Sequence, residues 1–529
     1  MRFLSSVKSD LVSGFLVFLI ALPLCLGISM ASGVPPISGI FTAIIGGMVV
    51  SFLGSAPLTI KGPAAGLIVI VLGAVTELGD GNLEDGYRRA LAVAVVAGIL
   101  QIVLALTRAG AMGEIMPSAV VHGMLAAIGV IIIAKQAHTV LGVTPEGKEP
   151  LHLLAEIPHS IRHLNPEVFV IGLVSLLILF CLPLVKSDRL RKIPGPMLVL
   201  LIAVSLGVYF DLDDEHNYEL FDQIYSIGPR FLISLPDSLL GALTFPDFSE
   251  ITSMTSIKYV IMFSLVGSIE SLLSVTAVDA LDPQRRTSDL NRDLLGVGIG
   301  NTLAGLIGGI PMISEIVRSK ANIDSGAKSH WSNFFHGLFL FLSIAIIPEL
   351  LEEVPLAALA AMLIYTGTRL ASPKEFLHVY RIGPEQLALF VGTMLVTLAT
   401  DLLIGVAFGL VLKLLLHLKN GAPLKSLFQT TVEEKLEGQT YILKVHDAAV
   451  FTNYLGLKKR IANTPQGVDT VVIDFDRAWV VDHTVLGKLH AMSREWADRK
   501  LVLTGLDGHQ PMSSHQLASR RKSRSLVTA

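Results

Sequence analysis

Glu270 stands in the middle of an otherwise apolar run, Val266-Gly-Ser-Ile-Glu-Ser-Leu-Leu-Ser274. If that run crosses a bilayer, its carboxylate costs several kcal/mol to bury, and such a group normally faces a cavity, a cation or a proton path. Ser274 lies four residues on, on the same helical face, and adds a hydroxyl oxygen. The competing reading is a protonated Glu hydrogen-bonded to a neighbouring helix. Two further segments carry a different chemistry. Lys61-Gly-Pro-Ala-Ala-Gly66 places Pro63 in the first turn of a short helix, and its small residues leave backbone N–H groups uncovered. Pro311-Met-Ile-Ser-Glu-Ile-Val-Arg318 repeats the device. Two helix N-termini facing one another would hold an anion through backbone donors and helix dipoles, without a fixed cationic side chain. The competing reading is a pair of proline kinks in packed helices.

Glu315 puts a carboxylate where that anion would bind. It caps the helix dipole, carries a proton, forms part of a cation site, or pairs with Lys61 or Arg318. Arg318, one turn deeper, either lies by the site or snorkels to the interface. His122 sits in an apolar span as a packing residue or a proton carrier. Asp401, after Thr400, reads as the N-cap of the last span.

The elements that must position these groups are apolar runs. They recur at about 11–30, 37–54, 62–76, 90–107, 115–134, 168–185 and 193–210, and again at about 259–278, 294–309, 312–323, 331–348, 354–368, 386–400 and 402–418. Each group has seven members, and in each the third is short and proline-led, by Pro63 and by Pro311. An odd number of crossings inverts the second half relative to the first, and paired interrupted segments in such halves point to a transporter's binding site. With the N-terminus inside, Lys186–Lys192, Arg285, Arg286, Arg318, Lys320 and Lys328 fall on the cytoplasmic side. The acidic 211–257 loop and Glu349–Glu353 then fall outside.

Composition supports this reading. The 529 residues are 52% apolar and only 16% charged, and no Asp, Glu, Lys or Arg lies between Asp10 and Lys61. That stretch suffices for two crossings at roughly 20 residues each. A multi-pass protein of the inner (plasma) membrane of bacterial type follows, with both termini cytoplasmic. Net charge of −3 gives no basic field for nucleic acid. Cys25 and Cys181 sit in apolar spans, which excludes a disulfide framework. Gly296-x-Gly-x-Gly300 lacks a βαβ context and reads as small-residue helix packing. There is no phosphate loop and no His-Glu-x-x-His, so the chain reads as no enzyme, without a cofactor beyond a possible Na+ at Glu270.

Four divisions follow: a transmembrane domain at 1–418 (repeats about 10–210 and 258–418), a linker at 419–435, a small α/β domain at 436–508, and a basic tail at 509–529 expected to be disordered. Strands are expected at 440–446, 470–475 and 500–504, and helices at 456–462 and 485–497. The run Arg520-Arg-Lys-Ser-Arg524 is expected to be solvated or to touch anionic lipid.

Gly14-Phe-Leu-Val-Phe-Leu-Ile-Ala-Leu-Pro23, Ile60–Gly66, Gly300-Asn-Thr-Leu-Ala-Gly-Leu-Ile-Gly-Gly-Ile-Pro311 and Thr400-Asp-Leu-Leu-Ile-Gly405 together resemble the SulP family of sulfate-permease-type anion transporters, over nearly the whole chain. The resemblance implies an all-α membrane domain of seven plus seven inverted segments, divided into core and gate, with a cytoplasmic STAS domain and usually a homodimer. It puts the anion site at Pro63, Ala64 and Ala65 with Ser314, Glu315 and Ile316, and matches Glu270 and Ser274 to cation ligands of sodium-coupled bicarbonate members. Ala64 replaces a frequent hydroxyl residue and Glu315 a small or polar one, which shifts weight towards proton coupling. In the C-terminal domain, Asp482-His-Thr-Val485 departs from the Asp-Ser-Ser/Thr-Gly segment phosphorylated in sigma-factor control. The implied activity is secondary transport of sulfate or bicarbonate with Na+ or H+ by an elevator-like movement. The alternatives are an anion channel, a dicarboxylate or chloride exchanger of the same fold, or a membrane anchor for a signalling module.

Overall fold

The computed structural model describes all residues except Met1, 112–114, Lys148, 186–192, 221–222, 236–240, 497–498 and 523–529. The basic loop Lys186–Lys192 and the end of the basic run, Ser523 and Arg524, therefore lie outside the described residues. Seven helical segments make the first repeat: α1 (Arg2–Ala31), α2 (Ile37–Ile45, continuing through a π turn at Gly46–Val50), α3 (Ile68–Gly79), α4 (Leu83–Leu106), α5 (Ser118–Val140), α6 (Pro166–Cys181) and α7 (Gly195–Tyr209). Seven make the second: α8 (Met254–Leu281), α9 (Leu290–Leu306), α10 (Ile316–Asp324), α11 (Trp331–Ile346), α12 (Leu356–Leu370), α13 (Pro384–Ala399) and α14 (Leu402–Lys419). Among the described residues, six of these suffice by length and composition to cross a membrane. Large apolar side chains such as Leu177 on α6 and Leu201 on α7 remain exposed, as a lipid-facing surface requires.

Two compact units emerge, Met1–Gly113 with Ile128–Leu370, and Glu114–Ala127 with Ala371–Ala529. In the first, helix contacts exchange partners between the repeats. Helix α1 packs on α10 and α11 as α8 packs on α3 and α4, and α2 meets α11 as α9 meets α4. Lipid gives little hydrophobic drive between helices, so close approach through small residues must hold such crossings. A Cβ at Gly98 of α4 would come within 2.9 Å of the Gly298 carbonyl of α9, and one at Gly47 within 2.6 Å of the Gly337 Cα of α11. The glycines of 296–300 thus serve helix packing, as their context in the sequence indicates.

Short strands precede the two half-length helices: β1 (Ile60–Pro63) before α3 and β4 (Met312–Glu315) before α10, paired antiparallel. A hairpin of β2 (His216–Leu220) and β3 (Gln223–Ile227) lies in the acidic 211–257 loop.

The second unit contains α13, α14 and the C-terminal α/β domain. There β5 (Val432–Glu437), β6 (Thr440–Val445), β8 (Thr470–Asp474) and β10 (Lys500–Thr504) form one sheet in the order β10-β8-β6-β5. Helices α15 (Tyr454–Ala462) and α16 (His483–Glu495) share its core, which includes Leu443, Leu457, Ile473 and Leu489. A second sheet holds β7 (Asp447–Ala449), β9 (Ala478–Val481), β11 (His509–Pro511) and β12 (Arg520–Lys522). Two expectations are corrected here. Strand β5 begins inside the expected linker, because its charged Val-Glu-Glu-Lys-Leu-Glu pattern suits a solvated sheet edge. The tail to Lys522 is ordered: β12 pairs with β9, Ala518 is buried, and the His509 ring reaches the Ala478 carbonyl at 2.7 Å.

Candidate functional site

The site is built on the β1–β4 crossing. Its register sets Ile60 opposite Glu315, Lys61 opposite Ser314, and Pro63 opposite Met312. Ala64 and Glu315 are the last extended residues (φ −92°, ψ 126° and φ −96°, ψ 115°) before the chain turns helical at Ala65 and Ile316, and neither start has a side-chain cap. Polar side chains pin the strands: Asn301 of α9 accepts from the Met312 N–H at 2.6 Å, Ser271 of α8 from the Ser314 N–H at 3.1 Å, and Ser319 of α10 from the Ile60 N–H at 2.8 Å. Both helix starts are thereby fixed on one frame.

Three charged side chains converge there. The Glu270 carboxylate stands over Gly66, where any Cβ would overlap it, and its Oε2 is buried without a partner. Glu315 faces the Ala65 backbone N–H at the start of the opposite arm, and its Oε1 is also unpartnered. Arg318 is 1% exposed and does not snorkel: Nη2 donates to the Pro63 carbonyl at 3.3 Å and Nη1 approaches the Cys25 Sγ at 3.6 Å. Ser274 is buried one helical turn beyond Glu270.

Lys61 takes a different partner from those weighed for Glu315. Its Nζ lies 2.8 Å from both carboxylate oxygens of Asp293, 2.6 Å from the Ser314 Oγ and 2.7 Å from the Thr59 Oγ1. The Ser314 hydroxyl therefore belongs to an ion-paired brace, because Lys61 and Asp293 are both fully buried and each needs a counter-charge. Asp293, the residue missed by sequence reasoning, had one signal: a carboxylate at the head of an apolar run. With Lys61 and Asp293 cancelling, Glu270, Glu315 and Arg318 leave one excess negative charge when both carboxylates are ionised.

The remaining candidates lie in the second unit. His122 meets Glu375 through Nδ1, so it is hydrogen-bonded to a carboxylate. Asp401 caps α14 by accepting from the Ile404 N–H at 2.9 Å. Asp482 begins α16, accepting from the Thr484 N–H at 2.8 Å, and is buried against Lys413 at 3.0 Å and His417 at 3.3 Å, both on α14. Burial alone would raise its pKa, but the Lys413 charge and the His417 contact hold it well below the ordinary carboxylate range.

Inverted halves, two half-helices starting from crossed strands, and two carboxylates each with an unpartnered oxygen at their meeting point define a multi-pass membrane transporter of the inverted-repeat class. Residues 7–393 match the sulfate permease family, and the chain belongs to that family of anion transporters, which are not enzymes. It is 29% identical over 411 residues to the putative sulfate transporter YvdB of Bacillus subtilis, covering 77% of this chain and 73% of that one. It is 24% identical over 431 residues to the bicarbonate transporter BicA of Picosynechococcus, covering 81% and 73%. The fold resembles murine Solute Carrier 26 family member A9 in the inward-facing state, with TM-score 0.67 at 15% identity, covering 94% of this chain and 84% of that one.

Proposed function

We propose that this protein performs secondary active transport of a small inorganic oxyanion, sulfate or bicarbonate, coupled to a proton shared by Glu270 and Glu315. The observation that carries this reading is the pair of carboxylates beside Ala65 and Gly66, each with one buried oxygen that lacks a partner. Neighbouring like charges disfavour double ionisation, so one proton is held between them. While Glu315 is ionised it competes with the anion for the Ala65 donor. Protonation removes the excess charge and frees the N–H, so anion and proton load together. Because strand pairing and the Asn301, Ser271 and Ser319 bonds fix both helix starts on one frame, the loaded site travels as a body, which supports an elevator-like movement. A second reading, Na+ coupling, is favoured by the Ser274 hydroxyl one turn from Glu270. Loop charge supports cytoplasmic termini in a plasma membrane of bacterial type, and the family resemblance supports a homodimer with a STAS-type C-terminal domain.

The test is uptake of labelled sulfate and labelled bicarbonate into sealed proteoliposomes, under an inward proton gradient or an inward sodium gradient at fixed pH. Proton-driven accumulation is expected. Glu270→Gln is expected to lower it by about 100-fold, equivalent to ~2.7 kcal/mol, with folded protein still in the bilayer. Unchanged gradient-driven uptake in Glu270→Gln overturns the coupling assignment, and accumulation driven by sodium alone replaces the proton with Na+.

A further inference from the structure

Residues 512–519 form a strap between the Pro373–Ile382 helix, which leads into α13, and the C-terminal domain, all within the second unit. At one end the Ser513 hydroxyl donates to the Ile382 carbonyl. At the other the Ser519 hydroxyl accepts from the His483 N–H, at the start of α16, at 3.1 Å, and β12 follows at Arg520 in its pairing with β9. Ala518 and Ser519 are buried, whereas His515 is partly exposed and open to protons from solvent. The sequence Met512-Ser-Ser-His-Gln-Leu-Ala-Ser519 has little apolar surface to bury, so polar contacts must offset the entropy of ordering it.

Two imidazoles hold Leu517, in opposite senses. The Leu517 carbonyl can only accept, so His483 donates to it from Nδ1 at 2.6 Å. The Leu517 N–H can only donate, so His515 accepts it at Nδ1 at 3.2 Å, and that ring is neutral with its proton on Nε2. His515 also shapes the strap through its backbone: its N–H donates to the Ser513 Oγ at 3.2 Å, and its carbonyl accepts from the Ala518 N–H at 3.0 Å. The rings respond differently to a further proton. On His483 the proton goes to Nε2 and leaves the Leu517 bond intact. On His515 only Nδ1 is open, and protonation there sets a donor against a donor. The bond is lost and the Leu517 N–H keeps no partner in the strap. The groups that face His515 around a cavity of about 140 Å³ are His483, Glu375 and His378 of the Pro373–Ile382 helix, and His122 of α5, with the uncharged Gln386 from α13. Lys413 and Asp482, beside His483, neutralise one another. The His122 contact holds the Glu375 carboxyl below the usual range, so the cavity offers an imidazolium a counter-charge, and none of its described lining residues is Lys or Arg.

We propose that His515 is a pH-sensitive clasp: neutral, it fastens the strap that ties the C-terminal domain to the helix entering α13, and protonated, it lets that strap loosen. The loosened strap binds a proton that the fastened one excludes. Fastening therefore strengthens as pH rises and weakens as pH falls through the range where imidazoles ordinarily change charge, roughly pH 8 to 5. The device reports the pH of the compartment that the C-terminal domain faces. It is independent of which ions cross the membrane, because no residue of the crossed-strand site takes part.

Hydrogen–deuterium exchange of the full-length protein in lipid nanodiscs at pH 7.5 and pH 5.5, corrected for the pH dependence of intrinsic exchange, reads the clasp in the peptide 513–519. In the parent protein, exchange there is expected to be about tenfold faster at the lower pH, the loss of one hydrogen bond with its N–H left unpaired. His515→Asn keeps a side-chain acceptor near the Nδ1 position but takes up no proton, so its exchange is expected to stay slow at both pH values. His515→Ala is expected to exchange fast at both. His378→Asn removes a titrating neighbour without touching the strap's bonds and is expected to respond as the parent does. Equal corrected exchange at the two pH values in the parent, a pH response that persists in His515→Asn, or one that disappears in His378→Asn overturns the inference.

Discussion

The two arms of the crossed-strand site share a backbone and differ in charge. The α3 arm is small and neutral, Pro63-Ala-Ala-Gly66, and receives its carboxylate from α8 as Glu270. The α10 arm carries its own Glu315 and Arg318, and α1 brings the Cys25 thiol to Arg318. Where Gly66 must lack a Cβ, the corresponding position after the second crossing is Val317, which is partly exposed. The repeats thus set up two equivalent helix starts, and side-chain chemistry then makes one a receptor for charge and the other its source. A symmetric pair would bind an anion equally from both arms; in the proposed mechanism this pair ties binding to what happens at two carboxylates.

Breaking that asymmetry should have graded effects. Gly66→Val is expected to act most strongly, lowering uptake by roughly 10- to 100-fold, because overpacking against Glu270 costs about 1–3 kcal/mol where the anion and proton meet. Val317→Ala on the other arm should stay within about twofold in the same vesicle assay, and equal losses at both positions would erase the distinction. Next comes the brace beneath the arms. Lys61→Met strands a buried carboxylate at Asp293 and should destabilise the protein by about 3–5 kcal/mol, read as an earlier thermal transition in detergent. Lys61→Met with Asp293→Leu should recover part of that loss, since a paired apolar replacement leaves no orphan charge. Cys25→Ala should matter least. The thiol is a weak partner at 3.6 Å, so uptake within about twofold of the parent is expected; a large loss would make α1 an equal of α8.

Much of this arrangement is legible in the sequence because buried charge in an apolar run has few explanations. Glu270, the two proline-led segments and the Asp401 cap all declare themselves locally. Lys61 did not reveal its partner, because Asp293 lies 232 positions away and the choice between Asp293 and Glu315 depends on strand register. Ile60 faces Glu315 across the crossing, so Lys61 one step on faces Ser314 and turns to Asp293. In the C-terminal domain the strands with alternating or continuous apolar residues were recognisable, whereas β5 and β12 are charged. Their order comes from pairing with β6 and β9, which no local composition records.

The Lys413–Asp482 pair bears on how the chain is made. Lys413 enters the bilayer region on α14 as a cation whose counter-charge is still to be synthesised, 69 residues later. Until the C-terminal domain folds and presents Asp482, the last crossing holds an unanswered charge and is only provisionally inserted. Completion of the C-terminal domain is therefore expected to stabilise the last crossing by supplying the counter-charge that Lys413 needs.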